Sequence, residues 1–289
     1  MDQIWFATKY LIGSTSKEIP YEIVYSLKTA LDDWEINQRF LITTALIDDP
    51  NYFFQALDPS KVIRQFLPKV KIDGLIQIAS PRLYRHKPLN IVALYHELGH
   101  FVDDFHKVTS NSILLHPPAT TDQVALQQEI YHRKEFFADL FAASYSGDAI
   151  KFFLQKFAPN APESLTHPST TNRIANIDTF LKSRNNKSIS IIKDTLNTKK
   201  LPLLRRRFTS PDITTSFNNI RPYQIQNDRE LHGILEAGWK LLQDIEKAPF
   251  PPWSKLDNEF EAERIINDLV EKSIRNKMLK QKWAYGTTH

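Results

Sequence analysis

The chain has no cysteine. That absence removes thiol catalysis, thiolate zinc sites, iron–sulfur clusters and disulfide scaffolds together, so any metal must be held by histidine and carboxylate. Glycine is scarce: Gly13, Gly74, Gly99, Gly147, Gly233, Gly238 and Gly286 are too scattered to build a phosphate-cradling loop, which excludes P-loop and dinucleotide-binding readings. Long apolar runs are missing. The stretch Phe40–Ile47 is among the longest, far short of the roughly 20 residues that cross a bilayer. The N-terminus carries Asp2 and no cationic segment ahead of an apolar run, so neither a secretory signal nor a membrane span is expected, and a cytoplasmic location is. Charge of one sign is lacking too: 37 Lys and Arg face 33 Asp and Glu, a net charge of +4 that gives little ground for a nucleic-acid partner. What remains is 289 residues, 42% apolar and 24% charged, enough for a packed core in one large domain or two modest ones.

Hydrophobic periodicity divides the chain. Residues 20–38 carry Ile23, Val24, Leu27, Ala30, Leu31 and Trp34 at helical spacing, with Pro20 at a first-turn position. Residues 40–47 and 70–79 are short apolar runs that suit strands, although the first suits a buried helical turn equally. From Pro88 the pattern turns helical through Val102; a polar, Pro-containing stretch, 109–120, then leads to a cap at Thr121-Asp122 and a long helix to Ser146, stopped by Gly147. Helices are expected at 148–157, 170–181 and 188–196. Residues 201–228 read as an irregular connector, followed by an amphipathic helix through Leu231 and Ile245 and, beyond Pro249, Pro251 and Pro252, a last helix at 256–282. The class is α+β and helix-rich, with residues 1–200 as the principal domain and 201–289 as connector and C-terminal helices.

The chemistry lies in His96-Glu97-Leu98-Gly99-His100. Four residues advance a helix slightly more than one turn, so both imidazoles project from one face toward one cation, and Glu97 can reach a water at the open coordination position as general base. Gly99 inside this helix costs about 1 kcal/mol relative to Ala, which points to close backbone packing or ligand approach.

Two third ligands compete. His106 has the metzincin spacing, but Asp103 occupies the position of the glycine that bends that motif, and the only methionines, Met1 and Met278, leave its Met-turn without a place. Glu135, on the next long helix, is the better candidate: a carboxylate from an antiparallel neighbour completes a His, His, Glu set with one position left for water. Asp139 sits one turn beyond on the same face, where it can accept the ring N–H of a ligand histidine. Phe136, Phe137, Leu140 and Phe141 around the pair indicate burial, and a buried carboxylate needs a cation or donors.

The pentad, then Glu135-Phe136-Phe137-Ala138-Asp139, then His167-Pro168-Ser169-Thr170-Thr171-Asn172-Arg173 resemble, in that order, three motifs of the gluzincin peptidases that include HtpX and the CAAX prenyl proteases. The resemblance covers residues 75–177 and implies a zincin-like metallopeptidase core with a small sheet and an active-site helix. It implies one catalytic zinc ion on His96, His100 and Glu135, with Glu97 as base. His167 is implied to contact substrate or the developing oxyanion, and Arg173 to bind substrate or orient the site. Known members are largely membrane-embedded, whereas no spanning helix is expected here, so a soluble relative acting on a protein or peptide is implied. The ImmA/IrrE-like regulatory peptidases, which fit His167-Pro168 less well, are the nearest alternative, and a non-catalytic zinc-containing binding module is the alternative outside enzymology.

Other features have plainer readings. Glu129 and His132 have the spacing of di-iron bundles, which need a second such pair. Arg205 to Arg207 and the series Lys272, Arg275, Lys277, Lys280 and Lys282 read as solvated faces without interleaved aromatics for base stacking. The strand within 71–79 offers, on this reading, an exposed edge for an extended substrate, or simply core. Trp239, Trp253 and Trp283 cover a cleft or meet a partner.

Overall fold

The computed structural model describes residues 21–34, 40–48, 53–57 and 74–286. In chain order the elements are α1 (Tyr21–Asp32), β1 (Phe40–Ile47), β2 (Phe53–Leu57), β3 (Gly74–Pro81), α2 (Ile91–His106), α3 (Val108–Leu115), α4 (Gln123–Ser146), α5 (Ala149–Phe157), α6 (Thr170–Leu181), α7 (Lys187–Thr198), α8 (Thr214–Asn218), α9 (Asp228–Lys247) and α10 (Glu259–Gly286). The architecture is α+β and largely helical. Two compact units form, with divisions inside α2 after Leu94 and again after Phe208.

The first unit holds α1, the sheet, the first turn of α2, and α8 to α10. Strand order is β1-β3-β2, with β1 parallel and β2 antiparallel to β3. Along β1, Phe40, Ile42, Thr44 and Leu46 are buried while Leu41 is exposed, the period-two pattern of a strand with one face on a core. That settles the strand-or-helix ambiguity at 40–47. β3 is central: β1 occupies one edge over 74–81 and β2 the other over 75–79, so among the described residues the expected free edge for a substrate is absent from 75–79. Residues 70–73 of that expected strand, and residues 20 and 35–38 of the expected first helix, lie outside the described residues. β2, five residues long, was too short to show a period in the sequence.

Helices α9 and α10 pack together and against α1. Between them sits the 3-10 turn Pro88–Asn90, which opens α2. Trp239 donates its indole N–H to Leu89 O at 2.8 Å, and Leu89 N donates to Asn267 Oδ1 at 3.0 Å. Trp239 and Trp253 are thus buried parts of this unit; Trp253 donates to Asn218 Oδ1. Trp283 is exposed. The basic series on α10 is interleaved with acids, Lys272 with Asp268 and Arg275 with Glu271, as a solvated face requires.

The second unit contains the rest of α2 and α3 to α7, arranged about α4. Asp122 caps α4 by accepting from Val124 N at 3.0 Å, and Gly147, at φ 57°, ends it. Every residue from Phe137 to Ser146 is buried, so this half of α4 is enclosed on all sides. Its hydroxyls turn inward to their own helix: Ser144 Oγ donates to Leu140 O and Ser146 Oγ to Ala142 O. α3 lies mostly within the stretch 109–120, expected to be a polar, Pro-containing lead to the next helix; Val108–Leu115, rich in Ser, Thr and Asn and without an apolar stripe, is instead helical. Residues distant in sequence hold it: Asp103 accepts from Thr109 N and Oγ1 at 2.6 and 2.7 Å at its start, while the buried Arg133 donates to Ser112 O and His116 O at its end.

A Cβ on Gly233 of α9 would lie 2.0 Å from Thr209 O, where the chain crosses the helix against its backbone. Gly233→Ala is therefore expected to cost about 3 kcal/mol, the upper end of overpacking penalties, read as a lower urea midpoint at unchanged slope.

Candidate metal centre

The site lies wholly in the second unit, on α2, α4, α6 and the loop before α6. α2 runs unbroken past the pentad, so His96 and His100 stack one turn apart with Nε2 atoms 3.0 Å from each other. α4 supplies the acids. Glu135 Oε1 is 3.2 Å from His100 Nε2, and Glu135 Oε2 is 3.5 Å from His96 Nε2. Donor atoms of these three residues all lie within 4.8 Å of one another, a buried or half-buried His-His-Glu cluster able to hold a metal ion.

What permits this approach is Gly99. A Cβ there would sit 2.8 Å from Ala138 Cα and 3.0 Å from Phe141 Cβ, so α2 and α4 touch backbone to backbone between their ligand-bearing turns. Of the two readings of this glycine, close backbone packing is the one observed.

Behind the cluster is a chain of charges. Asp139, fully buried, is 3.0 Å from His96 Nδ1 and is gripped from its other side by Arg173, whose Nε and Nη2 donate to its two oxygens at 2.7 and 2.6 Å. Arg173 Nη2 also stands 3.5 Å from Glu135 Oε2. Burial disfavours every one of these charges, yet the network overrides it. Burial opposes charging of His96, but Asp139 and Glu135 outweigh it and hold its pKa up at about 10. Burial likewise works against the Glu135 carboxylate, and His100 and His96 keep it well below the ordinary carboxylate range. Asp139 is lowered against burial by Arg173, and Arg173 is raised against burial by Asp139. Glu97 differs. Burial pushes its pKa up and the neighbouring His96 and His100 only partly offset this; its carboxyl makes no hydrogen bond among the described residues.

His167 is at the mouth, its side chain 56% exposed and its Nε2 3.7 Å from Glu135 Oε1. Its loop is held by His132, singled out above only for its spacing with Glu129, and by Gln128 and Ser164, which no motif marks. His132 Nε2 donates to Ser164 O at 2.9 Å, Gln128 donates to the same oxygen at 3.3 Å, and a small turn is closed by Ser164 N donating to His167 O and His167 N to Ser164 Oγ. The available signal was spacing: residues 128, 132, 135 and 139 fall on one narrow stripe of α4. His132 thus serves the loop, and Glu129 pairs with Arg133, so no di-iron arrangement forms from them.

The alternative third ligand is excluded by the same helix. α2 continues through Asp103 to His106, and the left-handed residue is Lys107, at φ 54°, beyond the histidine. Six residues past His100, His106 points to another side of the helix, with its ring against Phe105.

The donor set fits a small divalent cation. Ligands 2.0–2.1 Å from a tetrahedral zinc stand about 3.3 Å apart, and the three separations found here are 3.0, 3.2 and 3.5 Å. Glu135 Oε2 is buried without a hydrogen-bond partner, an acceptor that a cation would satisfy. No known protein family, curated protein or solved structure matches the chain. No helix among the described residues is long and apolar enough to cross a membrane.

Two outcomes follow from this geometry. The raised pKa keeps His96 protonated in the metal-free protein at pH 7, so binding must displace that proton; affinity for zinc is expected to rise with pH up to about 10 and fall in acid, with roughly one proton released per ion at pH 7. Calorimetry in buffers of different ionisation enthalpy counts it. The sign follows from the shift: the stabilisation His96 gives the metal-free fold is complete below its unfolded value near 6.5 and lost toward 10. Gly99→Ala is expected to force α2 from α4 and weaken zinc binding at least tenfold, measured by competition with a chromogenic chelator.

Proposed function

We propose that the chain is a zinc-dependent endopeptidase of the gluzincin type. The observation that carries this reading is the convergence of His96, His100 and Glu135 with Glu97 set between the two histidines on the same helix. A purely structural zinc site needs four protein ligands and no base; the cluster offers three ligand residues and an unpaired carboxyl beside them. The ordered resemblance of the three motifs to that peptidase group supports the same reading.

Zinc bound by this set supplies Lewis-acid polarisation of the scissile carbonyl and a water acidic enough to attack near neutral pH. Glu97 takes up the proton of the attacking water and returns it to the departing amine, and its burial, which raises its pKa, suits both tasks. Asp139 faces Nδ1 of His96 and so leaves Nε2 for the ion, with Arg173 holding Asp139 in turn. His167, at the open side, donates to the oxyanion as it develops. The substrate class is protein or peptide.

Metal analysis and proteolysis of an unfolded protein substrate test the reading together. Glu97→Gln is expected to retain one zinc and lose a hundredfold or more in kcat. Glu135→Ala is expected to lose the metal, Asp139→Asn to weaken it by about 10- to 100-fold, and His106→Ala to leave it in place. Wild-type hydrolysis by Glu97→Gln would remove Glu97 as the base, and absence of hydrolysis by the zinc-loaded wild type would reduce the protein to a metal-binding module.

A further inference from the structure

The imidazole of His167 stands half out of the protein, and one side chain steadies it. Thr166 Oγ1 lies 2.8 Å from its Nδ1, the only hydrogen bond that the ring makes among the described residues. The two side chains meet because of the turn between Ser164 and His167, in which His167 N donates to Ser164 Oγ at 3.0 Å and Ser164 N donates to His167 O at 2.9 Å. Apart from the imidazole, Thr166 Oγ1 has within reach, among the described residues, only Ser164 Oγ at 3.5 Å, the outer limit of a hydrogen bond. The second torsion of a histidine side chain is broad and two-fold, so a ring this exposed has no fixed aim without such a partner.

The direction of that bond follows from the other ring nitrogen. A neutral imidazole carries its proton on one nitrogen and a lone pair on the other. Nε2 faces Glu135 Oε1 at 3.7 Å, and Glu135 stays ionised, its burial outweighed by His100 and His96. A lone pair aimed at a carboxylate is repelled and an N–H is attracted, so the proton belongs on Nε2. Nδ1 is then the acceptor, and the threonine hydroxyl must donate. We propose that Thr166 is a positioning residue, whose hydroxyl fixes the orientation of His167 and the tautomer that presents Nε2–H at the mouth of the metal cluster. Its consequence for catalysis rests on the peptidase reading: an oxyanion needs a donor there, and a ring with its proton on Nδ1 would offer a lone pair instead.

Nitrogen NMR spectra of the full, zinc-loaded chain with labelled histidine read the tautomer directly. The neutral ring of His167 is expected to carry its proton on Nε2 in the wild type and in Thr166→Ser, which keeps the hydroxyl, and to divide it between both nitrogens in Thr166→Val. Kinetics read the consequence. Thr166→Val is expected to retain its zinc and its KM while kcat falls about tenfold, short of the roughly 100- to 1,000-fold lost with an oxyanion donor itself; Thr166→Ser is expected to stay close to wild type. In a His167→Gln background, Thr166→Val is expected to change kcat by less than about twofold, because no imidazole remains to be aimed. A residue that merely shaped the loop would lower kcat there too. A proton on Nδ1 in the wild type, or an unchanged tautomer in Thr166→Val, overturns the assignment, as does an equal loss of kcat in both backgrounds. Absence of hydrolysis by the zinc-loaded wild type overturns the peptidase reading instead, and the spectra alone then decide the role of Thr166.

Discussion

The contact between α2 and α4 at Gly99 and Ala138 sets every other distance in the metal centre. Helices bearing ordinary side chains at their crossing stand 8–10 Å apart; a missing Cβ lets these two meet closely enough for a short carboxylate on α4 to reach between two imidazoles on α2. The unfavourable helical propensity of one glycine, about 1 kcal/mol, is small beside that geometric gain. It also explains why the glycine lies within the ligand turn, where the spacing matters most.

Around this contact the protein assembles charges that would each be unstable alone. Three carboxylates, Glu97, Glu135 and Asp139, meet one guanidinium, Arg173, and two imidazoles within a largely enclosed volume. Asp139 stands in the half of α4 that is enclosed on all sides, and the paired donors of Arg173 make its burial tolerable. A divalent ion would complete the balance at Glu135 Oε2. The centre is therefore graded: ion pairs at the back, ligand atoms in the middle, and the imidazole of His167 at the solvent side.

Much of this was legible because it is local. The period of 3.6 put His96 and His100 on one face, the cap at Asp122 and the stop at Gly147 bounded α4, and the helix Thr170–Leu181 was visible from its own residues. The spacing of Glu135 and Asp139 alone puts both on one stripe of α4. What stayed hidden depends on residues far apart in sequence. α3 has no helical period of its own and is held by Asp103 and Arg133, and the central position of β3 depends on a five-residue partner. The loop carrying His167 is pinned by His132, whose spacing with Glu129 suggested a different chemistry. The motifs marked where chemistry sits; the scaffolding that aims them came from tertiary contact.

The pairing of Asp139 with Arg173 has one more consequence. Removing either member strands an opposite charge in the interior, a loss of about 3–5 kcal/mol, whereas exchanging both for apolar residues spares that loss and leaves only His96 Nδ1 without its acceptor. Neutral drift at these two positions is thus locked in step: each constrains what the other is free to become, and a lineage relinquishing one would shed its counterpart with it.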